Sequence, residues 1–203
     1  MYDKNKKEEL IHFFEQNNNI LRFSDIIRNG FHRDQINDLL GADEIEKIAH
    51  GLYRIKGYDP DNHINIVYAS FQSSMGVICL ISALAFHEIT DIIPARVNIA
   101  IPRGMTARKI RYPAVRFFHY SKETWESGVE EFTESGHKFK VYNVAKTIAD
   151  CFKFRNKIGI SVARTAMKTA LQEKKTTVNE IMEYSRICRV DKIVRQTLEV
   201  MYS

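Results

Sequence analysis

The sequence predicts an α+β protein in two parts: an N-terminal winged helix-turn-helix over residues 1–57, a linker at 58–62, and a mixed β-sheet domain with C-terminal helices over 63–203. Three observations carry that prediction. Residues 1–57 run helix, short helix, tight turn, helix, hairpin. A group of turn formers follows, Gly57-Tyr58-Asp59-Pro60-Asp61-Asn62. Beyond it, alternating strand patterns give way to helical stripes from Asn143 onward.

Taken in order, Lys6-Lys7-Glu8-Glu9 leads into Leu10, Ile11, Phe13 and Phe14, spaced for one helical face. Ser24 is the expected N-cap of a short helix burying Phe23, Ile26 and Ile27 and closed by Gly30. A third helix starts at about His32, turns Ile36, Leu39 and Leu40 inward and ends at Gly41. Ile45 to Ala49 and Leu52 to Ile55 read as strands joined by a His50-Gly51 turn.

In the second part, Val77 to Phe86 is an apolar run broken only by Ser82. Ten helical residues span roughly 15 Å, half a bilayer core, so the run predicts a buried helix, through Leu80, Ala83, Leu84 and His87, and no membrane span. Val97 to Ile101 and Val115 to Tyr120 alternate as strands, and Val129 to Thr133 with Lys138 to Tyr142 flank Ser135-Gly136 as a hairpin. Ala145, Ile148, Ala149 and Phe152 form one inward helical stripe, and Ala163, Ala166, Met167, Ala170 and Leu171 the next. Thr177 and Glu180 make a capping box for a helix burying Ile181 and Met182, and a last helix carries Val194, Leu198 and Met201.

The 203 residues are 44% hydrophobic and 27% charged, which argues for a folded chain and against disorder. Met1-Tyr2-Asp3-Lys4-Asn5-Lys6-Lys7 has no apolar signal region, so a cytoplasmic protein is expected. Cys79, Cys151 and Cys188 lie far apart, and no two histidines stand three to five residues apart. That spacing predicts no zinc site, and no cofactor is expected.

The formal charge of +5 is unevenly spread. Residues 1–57 hold nine Lys/Arg against ten Asp/Glu, whereas 58–203 hold twenty-one against fifteen. Arg96 to Arg116 includes Arg103, Arg108, Lys109 and Arg111 without an acid; Glu123, Glu126, Glu130, Glu131 and Glu134 follow as an acidic patch. Lys138 to Lys175 then carries ten bases against Asp150 and Glu173. Such a basic excess points to a polyanionic partner.

The candidate DNA-reading residues are His32, Arg33, Gln35 and Asn37 near the start of the second helix of the helix-turn-helix. Arg pairs with guanine and Gln or Asn with adenine, at about 1–3 kcal/mol of discrimination each. Arg22, Ser24 and Arg28 are candidates for holding phosphates, as are Lys47, His50 and Arg54 on the wing. Against this, Asp34 and Asp38 are expected outermost on the recognition helix, and the module's charge is −1. The alternative is a protein-interaction module that does not read DNA. Lys146, Lys153 and Lys157 fall at i, i+7 and i+11 on one predicted helical face, and Arg164 and Lys168 form an i,i+4 pair. These five extend the candidate DNA surface.

Enzymatic signals are weak. Asp59-Pro60-Asp61 is formally a Mg²⁺-binding pair, but it sits in the linker without a nucleotidyltransferase's surrounding turn and strand. There is no Gly-rich phosphate loop and no G-x-S-x-G, so no enzyme is expected.

Several stretches resemble the AbiEi-type antitoxins of type IV toxin–antitoxin systems. They are His50-Gly51-Leu52-Tyr53-Arg54, then Ser82-Ala83-Leu84-Ala85-Phe86-His87-Glu88-Ile89-Thr90, then Pro94 with Val97-Asn98-Ile99-Ala100-Ile101-Pro102-Arg103-Gly104, and finally Val141-Tyr142-Asn143-Val144-Ala145-Lys146-Thr147-Ile148-Ala149-Asp150. The family usually has Arg where this chain has His50 and Lys146. The resemblance implies a bacterial, cytoplasmic antitoxin that represses its own operon through the winged helix, with operator DNA as partner. It also implies a neighbouring nucleotidyltransferase-like toxin, countered without a stable complex, in a module active in phage abortive infection. In that family the C-terminal domain is linked to antitoxicity and cooperative operator binding. Only the winged-helix positions and the basic face carry over, since there is no catalytic motif to transfer.

Overall fold

The structure, a computed structural model, describes residues 4–58, 63–107, 109–134 and 136–202. Asp59, Asp61 and the rest of linker residues 59–62, with Arg108 and Ser135, lie outside the described residues. The fold is α+β and divides into two compact units, Met1–Val67 with Thr133–Lys138, and Tyr68–Phe132 with Phe139–Ser203.

The first unit is a winged helix. α1 (Lys4–Gln16) is followed by β1 (Ile20–Arg22), α2 (Phe23–Arg28), α3 (Arg33–Gly41), β2 (Ile45–Ala49) and β3 (Leu52–Ile55). Leu10 and Phe14 of α1, Ile26 of α2, and Ile36 and Leu39 of α3 meet Leu21, Ile45 and Tyr53 in one core. The sequence reading missed β1. It pairs antiparallel with β3 through Arg22↔Leu52, giving the order β1-β3-β2. The helix starts directly after it, because Phe23 N donates to Gly51 O at 2.8 Å. Ser24 is therefore inside the first turn of α2 and is not its N-cap, which is Arg22. Gly51 makes the wing turn at φ +68°, a conformation that favours glycine.

The remaining elements are α4 (Ile64–Gln72), β4 (Val77–Ile78), α5 (Leu80–Phe86), β5 (Val97–Pro102), β6 (Val115–Tyr120), α6 (Lys122–Glu126), β7 (Val129–Glu134), β8 (His137–Tyr142), α7 (Val144–Lys153), α8 (Arg155–Ile158), α9 (Ile160–Gln172), α10 (Val178–Cys188) and α11 (Asp191–Tyr202). The sheet order is β6-β5-β4-β8-β7, a mixed sheet with β5–β6 and β4–β8 parallel and β4–β5 antiparallel.

The apolar run from Val77 is thus not all helix. Val77 and Ile78 pair with Ala100 and Ile99, and the helix begins only at Leu80. Gly76 lets β4 approach β5 this closely: a Cβ there would lie 2.6 Å from Ile99 Cγ2. The core of the larger unit joins Leu84, Phe118, Tyr142, Phe152, Met167 and Val194, among others, with all three cysteines buried in it as free thiols. The Thr177–Glu180 capping box forms as the sequence predicts.

Candidate nucleic-acid interface

α3 owes its start to a capping box at His32, where the Gln35 side chain accepts from His32 N at 2.7 Å. Its inner face is Gln35, Ile36 and Leu39, and its outer face exposes Arg33, Asp34 and Asn37 beside the exposed His32. Gln35 does not join the other three. It is 7% exposed, and its amide donates to Lys6 O, so both ends of the side chain are engaged inside the module. This corrects its assignment as a base reader. Asp38 is half-buried, leaving Asp34 as the exposed acid of the pair.

Around α3 the polar positions differ in how far they are engaged. Lys47 and His50 are exposed on the wing. Arg54 lies opposite Glu46 in the β2–β3 register and pairs with it at 2.7 Å, side-chain exposure 24% and 39%. Arg28 is 77% exposed and 3.6 Å from Asp25. Ser24 is exposed, its hydroxyl directed to Asp25, and Arg22 is half-buried at the end of β1.

In the larger unit the predicted basic face comes apart. α7 ends at Lys153, Phe154 takes φ −99° and ψ 18°, and α8 starts anew at Arg155, so residues 146–157 are not one helical face. Lys146 is wholly buried. Its Nζ donates to Asp150 Oδ2 at 2.6 Å and lies 3.9 Å from the Tyr142 ring centroid and 4.9 Å from that of Tyr120. Lys146 cannot reach a phosphate, which corrects that assignment. A buried cation is tolerable because the carboxylate one turn along and two ring faces replace its water. Cys188 Sγ donates to Asp150 Oδ1 at 3.3 Å. Burial raises the Asp150 carboxyl above its usual range against the pull of Lys146, and the same burial pushes Cys188 up to about 12.

Lys153 and Lys157 do come together, with a third cation that sequence reasoning missed. Arg116 on β6 lies 5.1 Å from the Phe118 ring centroid, and Lys157 is 5.7 Å from the same ring and 5.6 Å from Phe154. Lys153 is 5.7 Å from Tyr120, and the three rings pack at 5.1 and 5.2 Å. None of the three cations has a carboxylate within 4.0 Å among the described residues. The alternation Arg116-Phe117-Phe118-His119-Tyr120 was the available signal: exposed base over buried ring on one strand face. Arg164 and Lys168 are exposed on α9, on neither α7 nor α8.

With the winged geometry in place, the comparison with known families becomes specific. Residues 8–56 match the model of a family described as transcriptional regulator, AbiEi antitoxin. Over those residues the chain is similar to that family. The match takes in α3, both wing strands and the His50-Gly51-Leu52-Tyr53-Arg54 stretch, and it supports an antitoxin and regulator role for the protein. The resembling stretches from Ser82 to Asp150 lie outside the matched segment. No curated protein matches the chain. Among the described residues, no helix is long and apolar enough to cross a membrane and no cluster of His, Cys, Asp or Glu is placed to hold a metal.

Proposed function

We propose that this protein is a DNA-binding antitoxin that represses its own operon in a bacterial type IV toxin–antitoxin system of abortive phage infection. The observation that carries the reading is α3: an AbiEi-type module whose recognition helix exposes His32, Arg33 and Asn37 together on its outer side. Arg33 and Asn37 are the base readers on this view, and Lys47, His50 and Arg28 position the module on phosphates. Lys153, Lys157 and Arg116 supply sequence-independent phosphate contacts from the larger unit, balancing a module of formal charge −1. The functional partner is a nucleotidyltransferase-like toxin, countered without a stable complex in the cytoplasm, and the chain itself catalyses nothing.

The test is a fluorescence-anisotropy titration against DNA from immediately upstream of its own gene, beside an unrelated duplex of equal length at two salt concentrations. A preference of about 10³-fold or more is the expected result. Equal, weak and salt-sensitive binding to both duplexes overturns base readout. One observation favours a second reading, a protein-binding antitoxin: Gln35 and Arg54 are engaged within the module, leaving fewer side chains for bases and phosphates.

A further inference from the structure

The two flanks of α9 carry opposite charge. On one flank, a groove of about 520 Å³ is lined by Glu88, Asp91 and Glu173, with no Lys or Arg in its lining. On the other, a groove of about 430 Å³ has Arg164 and Lys168 above Ile193, Val200 and Met201, with no acid in its lining. Thr165 borders both, so the grooves meet along the exposed crest of the helix. Lys175 partly covers the acidic side by pairing with Glu173 at 3.2 Å. Glu88, Asp91, Arg164 and Lys168 have no ion-pair partner within 4.0 Å among the described residues. Large apolar side chains stand in solvent on both flanks: Ile93 is 91% exposed beside the acidic groove, and Val200 is 79% exposed in the basic one.

We propose that this face binds a second copy of the chain about a two-fold axis running along α9. The charge pattern selects both partner and orientation. A two-fold contact is self-complementary, each patch meeting its counterpart's partner patch. An axis across α9 sets acid against acid and base against base. An axis parallel to α9 exchanges the flanks, so Glu88 and Asp91 of each copy face Arg164 and Lys168 of the other. The same rotation brings the exposed Ile92-Ile93 segment toward the apolar floor of the partner's groove, removing from water the residues that a lone copy leaves exposed. The small side chain of Thr165 on the crest lets the two helices approach.

Sedimentation equilibrium at about 100 μM, where weak association is visible, is the test. The wild-type chain is expected to dimerise. Arg164→Glu with Lys168→Glu makes both flanks acidic, and Glu88→Lys with Asp91→Lys makes the unpaired positions of both flanks basic. Each double variant, its fold checked by circular dichroism, is expected to dimerise at least about tenfold more weakly, since like charges then meet across the contact. An equimolar mixture of the two is expected to recover mixed dimers, because every reversed flank then faces its complement. Three results overturn the proposal: a monomeric wild type at this concentration, a dimer indifferent to the reversals, or folded variants that stay monomeric when mixed.

Discussion

α3 and α7 are both amphipathic, and polar residues on each read as DNA-facing from spacing alone, yet they use those residues in opposite ways. α3 packs against α1 and β2, which leaves its outer face to Arg33, Asp34 and Asn37. α7 packs against α5, α9 and α10, and every residue from Ala145 to Phe152 is buried. A helix covered on several sides cannot leave a lysine to water, so the lysine has to find its counter-charge inside. Lys146 finds it at Asp150, one turn away. Periodicity says which residues share a face. The number of neighbouring elements decides whether a polar face meets solvent.

The largest expected effect breaks this contrast at its buried end. Lys146→Ala leaves the Asp150 carboxylate in the core without its cation, a change of the kind that costs about 3–5 kcal/mol. Lys157→Ala, on the exposed side of α8, is expected to stay within about 0.5 kcal/mol. Urea denaturation of the two variants checks both, and equal effects remove the distinction drawn between the two lysines.

On α3 the contrast sharpens within a single helical turn. Arg33→Ala is expected to weaken operator binding by about 1–3 kcal/mol and to relax preference at one base pair. Gln35→Ala is expected to leave base preference unchanged and to lower stability by about 1 kcal/mol, because it removes the reciprocal cap at His32. Anisotropy against single-base operator variants, with thermal melts, separates the two. A changed base preference in the Gln35 variant contradicts its burial. The next effect is a slope: Lys153→Ala with Lys157→Ala is expected to flatten the salt dependence of DNA affinity by about one to two units for every sequence.

How much of this was legible depends on how locally each feature is determined. The Val115–Tyr120 strand and the Thr177–Glu180 cap were readable because alternation and a four-residue hydrogen-bond pattern are properties of the segment itself. β1 and β4 are three and two residues long and are strands only because Leu52 to Arg54, Ile99 and Ala100 lie opposite them. α4 and α6 were missed as well, α6 being five residues around the buried Thr124. Of the candidate site, exposed positions such as Arg33 and Asn37 stand where spacing put them. Lys146 and Gln35 were misread because an i,i+4 carboxylate and an N3 glutamine fit either a solvated face or an internal partner.

The smallest expected effect concerns a half-buried histidine. His87 ends α5, where its Nε2 donates to Tyr142 O at 2.8 Å and its ring packs edge-on against Phe86 and Phe132. Burial lowers its pKa below the ordinary 6.5, outweighing the hydrogen bond and Glu130, which favour the protonated ring. The unfolded chain therefore takes up this proton first as pH falls below about 6.5. Stability from this group is complete above that pH and declines until the folded form also protonates. His87→Gln keeps an N–H donor for Tyr142 O but cannot titrate. Its melting temperature is expected to fall less than that of the wild type between pH 7 and pH 5, and parallel curves for the two proteins would refute a neutral His87.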